Sequence, residues 1–130
     1  MCRLAKVNDK DVVYDLGCGD GAALEVAAEE FGARGVGIEI DPLRYLFSKI
    51  RFKQNGFDRK VKIVKKNFHD VDISEASVIF VYLVPRALER LKPKFLKELK
   101  KGTLIVSYKY KANLPFVASD KKNGLYLYKI

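Results

Sequence analysis

Several residue types and patterns are scarce in this sequence, and their scarcity excludes whole classes of protein. Its 130 residues include only two cysteines, Cys2 and Cys18, too few for a disulfide framework or a cysteine-based zinc site. The longest uncharged apolar run, residues 76–85, is about half of the roughly 18–20 residues that a membrane span requires. The amino terminus lacks the apolar core of a secretory signal. We therefore expect a reduced, cytoplasmic protein with no bound metal and no membrane partner.

Acidic side chains are scarce in the second part of the chain. Residues 1–41 carry 4 basic and 9 acidic side chains, residues 42–130 carry 21 basic and 7 acidic ones, and the net charge of the chain is +9. Such a basic surface is typical either of a solvated, lysine-rich face or of contact with nucleic acid or an acidic partner, and composition leaves both open. The candidate nucleic-acid surface is residues 44–66, where nine cations accompany one acid, Asp58: Arg44, Lys49, Arg51, Lys53, Arg59, Lys60, Lys62, Lys65 and Lys66.

Short apolar runs alternate with helical periodicities along the whole chain, without repeats or linker-like stretches. The patterns predict strands at 11–16, 34–40, 61–64, 78–83 and 103–108, then a terminal pair at 114–117 and 125–130. They predict helices at 22–31, from Pro42 to near Asn55, from Pro85 to a break at Pro93, and at 94–100. The helix after Pro42 has Leu43, Leu46, Phe47 and Ile50 on one face. This order predicts a single α/β domain over residues 1–130, with a doubly wound parallel sheet and helices on both faces.

A glycine-rich turn follows the first strand and opens the first helix. It reads Asp15-Leu-Gly-Cys-Gly-Asp-Gly21, and Glu39 closes the second strand 18 positions later. Glycines permit positive φ and close approach of a ligand to the backbone, and an acid at the end of the second strand suits ribose hydroxyls. In doubly wound sheets the ligand binds at these carboxyl ends. The spacing of Gly17, Gly19 and Ala22 also fits the dinucleotide pattern, so the glycines alone leave the adenosine cofactor undecided.

The run Tyr14–Gly21 resembles the first motif of class I S-adenosylmethionine-dependent methyltransferases. The carboxylate of Asp15 favours that family, because it would repel a pyrophosphate but suits a sulfonium and an α-amino group. The resemblance implies a seven-stranded, mostly parallel Rossmann-like methyltransferase sheet whose last strand is antiparallel. It also implies S-adenosylmethionine as cofactor, S-adenosylhomocysteine as product, Glu39 on the ribose and Asn67 beside the adenine. The candidate cofactor-binding residues are Asp15, Gly17, Cys18, Gly19, Gly21, Glu39, Ile40, Asn67 and Phe68.

Two later segments, 67–76 and 91–102, look like those of small archaeal protein-lysine methyltransferases, which are similar to mitochondrial lysine methyltransferases. This closer resemblance implies methyl transfer to the ε-amino group of a lysine in a protein substrate. Members of that family carry some tens of residues ahead of the position of Met1, which help to cover cofactor and substrate. Two alternatives stay open: an RNA or small-molecule methyltransferase on the same fold, and a non-catalytic cofactor- or RNA-binding module.

The loop after the fourth strand is the candidate acceptor channel, formed by Tyr82, Leu83, Val84 and Pro85. It lacks the Asn/Asp-Pro-Pro-aromatic run with which nucleic-acid amino-methyltransferases hold a base, and its apolar residues suit the stem of a lysine. No dedicated base is evident, and the lone histidine, His69, is more typical of a surface or capping residue. Cys18 fills a place that needs a small side chain. The alternation of Tyr108, Tyr110, Tyr126 and Tyr128 indicates packing in the sheet.

Overall fold

The computed structural model describes all 130 residues as a seven-stranded sheet flanked by three helices. The strands are β1 (Val12–Leu16), β2 (Arg34–Ile38), β3 (Val61–Val64), β4 (Val78–Val81), β5 (Leu104–Tyr108), β6 (Phe116–Asp120) and β7 (Leu125–Lys129). The helices are α1 (Ala22–Phe31), α2 (Pro42–Gln54) and α3 (Pro85–Glu98), and a 3₁₀ turn spans Phe68–Asp70. The order across the sheet is β3-β2-β1-β4-β5-β7-β6, with β1 to β5 parallel and β7 antiparallel to β5 and β6. The predicted sheet is therefore confirmed.

Each face of the sheet has its own apolar core. On one face Leu24 and Ala27 of α1 and Phe52 of α2 pack with Val13 of β1. On the other face the buried side chains of α3 pack on the alternate residues of the same strands. The prediction of helices on both faces is confirmed. None of the three helices has the length and apolar character needed to cross a bilayer.

Helix α3 is one continuous helix, so the predicted break at Pro93 is wrong. Pro93 lies inside the helix and is exposed. The residues on either side of it, Leu88, Leu91 and Phe95, are spaced three and four apart and are buried. Proline removes one helical hydrogen bond, but at a solvent-facing position water solvates the released carbonyl. Burial of the apolar face on both sides of Pro93 outweighs that loss.

Helix α2 exposes the face that carries its apolar residues. The four predicted side chains, which we call the α2 stripe, are 68%, 51%, 69% and 44% exposed at Leu43, Leu46, Phe47 and Ile50. The buried residues of α2 are Ser48 and Phe52, which lie on the opposite side of the helix. An amphipathic helix of a globular protein normally turns its apolar stripe to the core. Here the stripe points to solvent.

Several strand ends differ from the prediction. The ladder on both sides of β1 ends at Ile38 and Val81, the partners of Leu16, because Gly17 turns away with φ of 81°. Strands β2 and β4 therefore end two residues earlier than predicted. Strand β6 begins after Pro115, which has no N–H to donate, and runs to Asp120, whose carboxylate accepts from the backbone of Asn123. The predicted strand at 114–117 is thus shifted towards the carboxyl terminus.

Candidate functional site

The carboxyl ends of four parallel strands meet at one edge of the sheet. Leu16 of β1 pairs with Ile38 of β2 and with Val81 of β4, and Val81 pairs in turn with Ser107 of β5. The glycine turn therefore lies between Glu39, which follows β2, and the loop that follows β4. The sequence analysis predicted its site at this edge.

The first two glycines of the turn face open space. Gly17 and Gly19 have φ of 81° and 57°, and a Cβ added to either would meet no atom within 4 Å. Their positive φ explains why glycine stands at both positions, since other residues rarely adopt it. The space beside them is where a ligand can approach the main chain.

Gly21 is required for a different reason. A Cβ there would lie 2.5 Å from the ring of Phe52, and φ is again 81°. Its N–H donates to the carbonyl of Cys18 at 2.9 Å. Gly21 therefore allows α1 and α2 to approach each other, and its side without a Cβ faces the core, away from the open space of Gly17 and Gly19.

The N–H groups of the turn are already paired within the protein. Those of Gly17 and Cys18 donate to the carbonyl of Ile38 at 2.8 and 3.1 Å. That of Gly19 donates to Oε1 of Glu39 at 2.9 Å, and that of Ala22 donates to Oδ1 of Asp20 at 3.1 Å. A diphosphate needs free N–H groups at such a turn. Here they are paired, and three carboxylates surround the turn, so the geometry opposes a dinucleotide.

Asp15 is a buried carboxylate that has no cation beside it. Burial, with the nearby charges of Glu39 and Asp20, raises the pKa of Asp15 from 3.8 to about 7. No neighbour contributes in the opposite direction. A cationic ligand at this place would stabilise the ionised form and lower that pKa. This environment fits the α-ammonium group of a methionine-derived cofactor.

Glu39 joins the glycine turn to the start of α2. It is buried, and while Oε1 accepts from Gly19, Oε2 accepts from the N–H of Asp41 at 3.0 Å. Each carboxylate oxygen can accept a second hydrogen bond, so both remain available to ribose hydroxyls. Asp41 has the capping role predicted for it, because its Oδ1 accepts from the N–H groups of Leu43 and Arg44.

A cavity of about 390 Å³ brings together five of the nine predicted cofactor residues. Asn67 and Phe68 line it opposite Gly17, and Asn67 uses its Oδ1 to cap the 3₁₀ turn, which leaves its amide N–H groups free. The remaining four predicted residues, Asp15, Cys18, Gly19 and Gly21, do not line it. The residues that line it are Gly17, Ile38, Glu39, Ile40, Lys66, Asn67, Phe68, His69, Ala87 and Arg90.

Cys18 and His69 have surroundings that do not suit catalysis. Cys18 is buried, and burial together with the charges of Asp15 and Glu39 raises the pKa of its thiol to about 12. A thiol with so high a pKa is a poor nucleophile. His69 is exposed on the 3₁₀ turn, where its carbonyl accepts from Nζ of Lys94 at 3.2 Å. Its surface position agrees with the sequence interpretation.

The acceptor side of the edge carries an aromatic cluster that sequence reasoning missed. Tyr82 is 56% exposed, and its ring centroid lies 4.8 Å from that of Tyr108 and 6.3 Å from that of Tyr110. The predicted sheet packing holds for Tyr128, which is buried, but not for Tyr108, which is exposed. The signal was available in the register, since Val81 pairs with Ser107 and the residues after them are both tyrosines. Val84 and Pro85 of the predicted channel begin α3 and are exposed.

Two further residues support the site without having been predicted. Ser48 of α2 is fully buried, and its Oγ lies 2.5 Å from the carbonyl oxygen of Gly19, so it holds the turn against α2. Arg90 of α3 lines the cavity beside Phe68. A buried serine opposite an apolar stripe is a detectable signal, but it becomes evident only once the stripe is known to face solvent.

Sequence comparison gives the family. Residues 15–115 match the ANTKMT methyltransferase domain. A protein-lysine N-methyltransferase of Saccharolobus islandicus is 45% identical over 111 residues, covering 85% of this chain and 69% of that protein. A lysine N-methyltransferase of Caenorhabditis elegans that is named for an ATP synthase subunit is 25% identical over 103 residues, covering 79% of this chain and 53% of that protein. The chain thus spans about half to two thirds of the length of these relatives.

Structural comparison agrees with the sequence comparison. The crystal structure of an RNA methyltransferase from Salinibacter ruber in complex with S-adenosyl-L-homocysteine is 36% identical with a TM-score of 0.92, covering 99% of this chain and 86% of that chain. TYW2 of P. horikoshii in complex with MeSAdo is 26% identical with a TM-score of 0.69, covering 81% and 41%. The predicted methyltransferase fold and the resemblance to archaeal lysine methyltransferases are confirmed.

Proposed function

The chain belongs to the ANTKMT methyltransferase family, and from that membership we propose that it uses S-adenosylmethionine to methylate the ε-amino group of lysine in a protein. The 45% identity to an archaeal protein-lysine N-methyltransferase supports lysine as the acceptor. We further propose that residues 1–130 act as one methyltransferase domain. A cytoplasmic location stays a prediction from the sequence.

The observation that carries this proposal is the pair of buried carboxylates on either side of an open glycine turn whose N–H groups are already paired. Asp15 would hold the α-ammonium group, and Glu39 would accept from the ribose hydroxyls. Gly17 and Gly19 would let the cofactor lie against the backbone. When bound, the cofactor supplies a methyl group activated by a sulfonium. These residues fit a cationic cofactor that has no phosphate.

At the edge of the cavity, Asn67 and Phe68 would hold the adenine. The free amide N–H groups of Asn67 would donate to ring nitrogens, and the ring of Phe68 would pack against the base. Ile40 would cover the opposite side. The cofactor assignments of Cys18 and Gly21 become indirect, because Cys18 is buried and Gly21 faces Phe52.

Tyr82 and the apolar residues after it would receive the acceptor. The faces of the Tyr82 and Tyr108 rings attract a cation at close range, so they would draw in the lysine head group. Leu83 and Val84 would cover its aliphatic stem. Desolvation there favours the neutral amine, which is the nucleophilic form, and the released proton would pass to water. Orientation of the amine would then supply much of the rate.

A second candidate function is methylation of RNA. It is favoured by the solved relative described as an RNA methyltransferase and by the cations of residues 44–66. Lys49, Lys53, Lys62, Lys65 and Lys66 are exposed, so they are accessible to phosphates. Against it, the aromatic pair that Tyr82 forms with Tyr108 lies at the acceptor channel and not along these cations.

The experiment that tests the proposal is transfer of a radiolabelled methyl group to a cell lysate, followed by separation of protein from RNA. We expect label in the protein fraction, recovered as methyl-lysine after acid hydrolysis. Label confined to RNA would favour the second candidate. Absence of transfer, with S-adenosylhomocysteine still bound, would indicate a non-catalytic binding module.

A further inference from the structure

The α2 stripe is an apolar ridge with cations on both sides. Leu43, Leu46, Phe47 and Ile50 are spaced three and four apart, so they form one row along the outer side of the helix. By the same periodicity, Arg44 and Arg51 lie on one side of the row, and Lys49 and Lys53 on the other. No acidic residue lies within α2.

We propose that the α2 stripe docks on a bilayer surface that contains anionic lipids. A helix with this pattern lies in the plane of the bilayer interface, with its apolar side chains among the acyl chains and its cations at the headgroups. The contact requires no membrane-spanning helix. It is therefore compatible with the absence of an apolar run long enough to cross a bilayer.

The electrostatics of the surrounding surface support this occupant. Residues 42–66 carry nine basic side chains and one acidic one. Arg51 pairs with Glu25 and Asp20, but Arg44, Lys49 and Lys53 have no acidic partner. Basic residues near an anionic leaflet are attracted to it, and this attraction adds to the burial of the apolar row.

Two other occupants fit the stripe less well. A second copy related by twofold symmetry would bring cationic margins together, because α2 contains no acid to oppose them. A folded protein partner would need an acidic groove that matches a convex ridge. A fluid headgroup layer adapts to the ridge and supplies the opposite charge without such a match.

The position of the stripe gives the contact a consequence for the site. Ile40, which is 62% exposed, lies between Glu39 and the start of α2 and lines the cavity. The apolar surface therefore continues from the stripe to the cavity. On a bilayer, the mouth of the cavity would lie beside the headgroups.

The chain has no tryptophan, which allows a direct optical test. Phe47→Trp would place a single indole on the stripe, and Leu96→Trp would place one at a matched exposed position on α3, where Leu96 is 56% exposed. We expect vesicles of phosphatidylcholine and phosphatidylglycerol to shift the emission of Phe47→Trp to shorter wavelength. The emission of Leu96→Trp should not shift.

Sedimentation with the same vesicles measures the affinity. We expect Phe47→Glu to weaken binding about tenfold or more, because it removes an apolar group and adds a negative charge. Leu96→Glu should bind like the parent, and added salt should weaken the parent. Binding of S-adenosylhomocysteine by Phe47→Glu should stay unchanged, which shows that fold and site are intact and separates this test from the proposed function.

Several results would overturn the proposal. Parent protein that does not sediment with phosphatidylglycerol vesicles would assign the stripe to a protein partner. Vesicle binding that Phe47→Glu leaves unchanged would assign it to the basic surface alone. A dimer that Phe47→Glu converts to monomer, without vesicle binding, would assign the stripe to a second copy.

Discussion

The cofactor half and the acceptor half of the site are built in different ways. The cofactor half, at the ends of β1 and β2, is a backbone turn fixed by hydrogen bonds from Gly19 to Glu39 and from Ser48 to Gly19. The acceptor half, at the ends of β4 and β5, consists of the exposed side chains of Tyr82, Val84 and Tyr108. Preorganised groups bind a constant ligand well, whereas exposed side chains adjust to the substrate. The comparison predicts that changes in one half will alter cofactor affinity and changes in the other will alter turnover.

The largest effect is expected for Gly19→Arg. Its side chain would enter the open space beside the turn, so we expect loss of detectable S-adenosylhomocysteine binding by calorimetry. Gly56→Arg is the matched control, because Gly56 also has a positive φ of 77° and open space around it but lies beyond α2, away from the cavity. Both variants should unfold at similar temperatures. Normal affinity in a folded Gly19→Arg protein would mean that the turn is not the cofactor site.

Glu39→Ala should have the next largest effect on the cofactor half. Hydrogen bonds to a charged acceptor are worth about 1.5–3 kcal/mol, so losing them should weaken cofactor binding roughly 10- to 100-fold. Glu39→Gln keeps one acceptor oxygen and should lose less. Asp41→Ala removes the helix cap and should lower the unfolding temperature while affinity stays close to that of the parent. A large loss of affinity in Asp41→Ala alone would mean that Asp41, and not Glu39, binds the ribose.

Asp15 should make cofactor binding depend on pH. With a pKa of about 7 in the free protein, its carboxyl is mostly protonated at acidic pH and must ionise to pair with the ammonium group. Affinity should therefore fall as pH decreases below about 7, by about tenfold per unit well below that pKa. Asp15→Asn should bind weakly at every pH in this range. Titrations at several pH values check both slopes.

The same group should affect stability in the opposite sense. The pKa of Asp15 is raised in the folded protein, so the folded state holds more protons than the unfolded state between about pH 4 and 7. The free energy of unfolding loses this contribution as pH rises through that window. At pH 8, Asp15→Asn should unfold at a higher temperature than the parent, and an equal or lower temperature would contradict the assigned burial.

The smallest effect is expected in the acceptor half. Tyr82→Ala should lower kcat/KM for the protein substrate about tenfold, since a cation–π contact contributes about 0.5–2 kcal/mol. Tyr82→Phe keeps the ring face and should stay close to the parent. Phe116→Ala, at an exposed aromatic outside this edge, serves as control. The affinity for S-adenosylhomocysteine should not change in any of them, and a parallel loss of that affinity would erase the distinction between the two halves.

The cofactor half could be predicted because its constraints are local in sequence. Gly17 and Gly19 follow a strand directly, and Glu39 ends the next one, so the parallel register alone brings them together. The acceptor cluster was missed because Tyr82 and Tyr108 become neighbours only through the pairing of β4 with β5. Alternation within one segment predicts a face of the sheet, but it does not predict contacts beyond the end of a strand.

Helices α2 and α3 show the limit of periodicity. Both sequences predict an amphipathic helix, yet Leu91 of α3 is buried whereas Phe47 of α2 is exposed. Helix α2 turns inward the side that carries Ser48 and Phe52, because Ser48 bonds to the glycine turn and Phe52 fills the space beside Gly21. Those tertiary contacts set the rotation of α2, and they outweigh its own apolar pattern.

The central claim is that a buried, cation-free Asp15 and a glycine turn with paired N–H groups select S-adenosylmethionine over a dinucleotide. Calorimetric titration of the parent protein in two buffers of different ionisation enthalpy tests it directly. At pH 6 we expect one-to-one binding of S-adenosylhomocysteine with release of close to one proton, no release for Asp15→Asn, and no binding of NAD. Comparable binding of NAD, or cofactor binding with no proton released by the parent, would contradict the account.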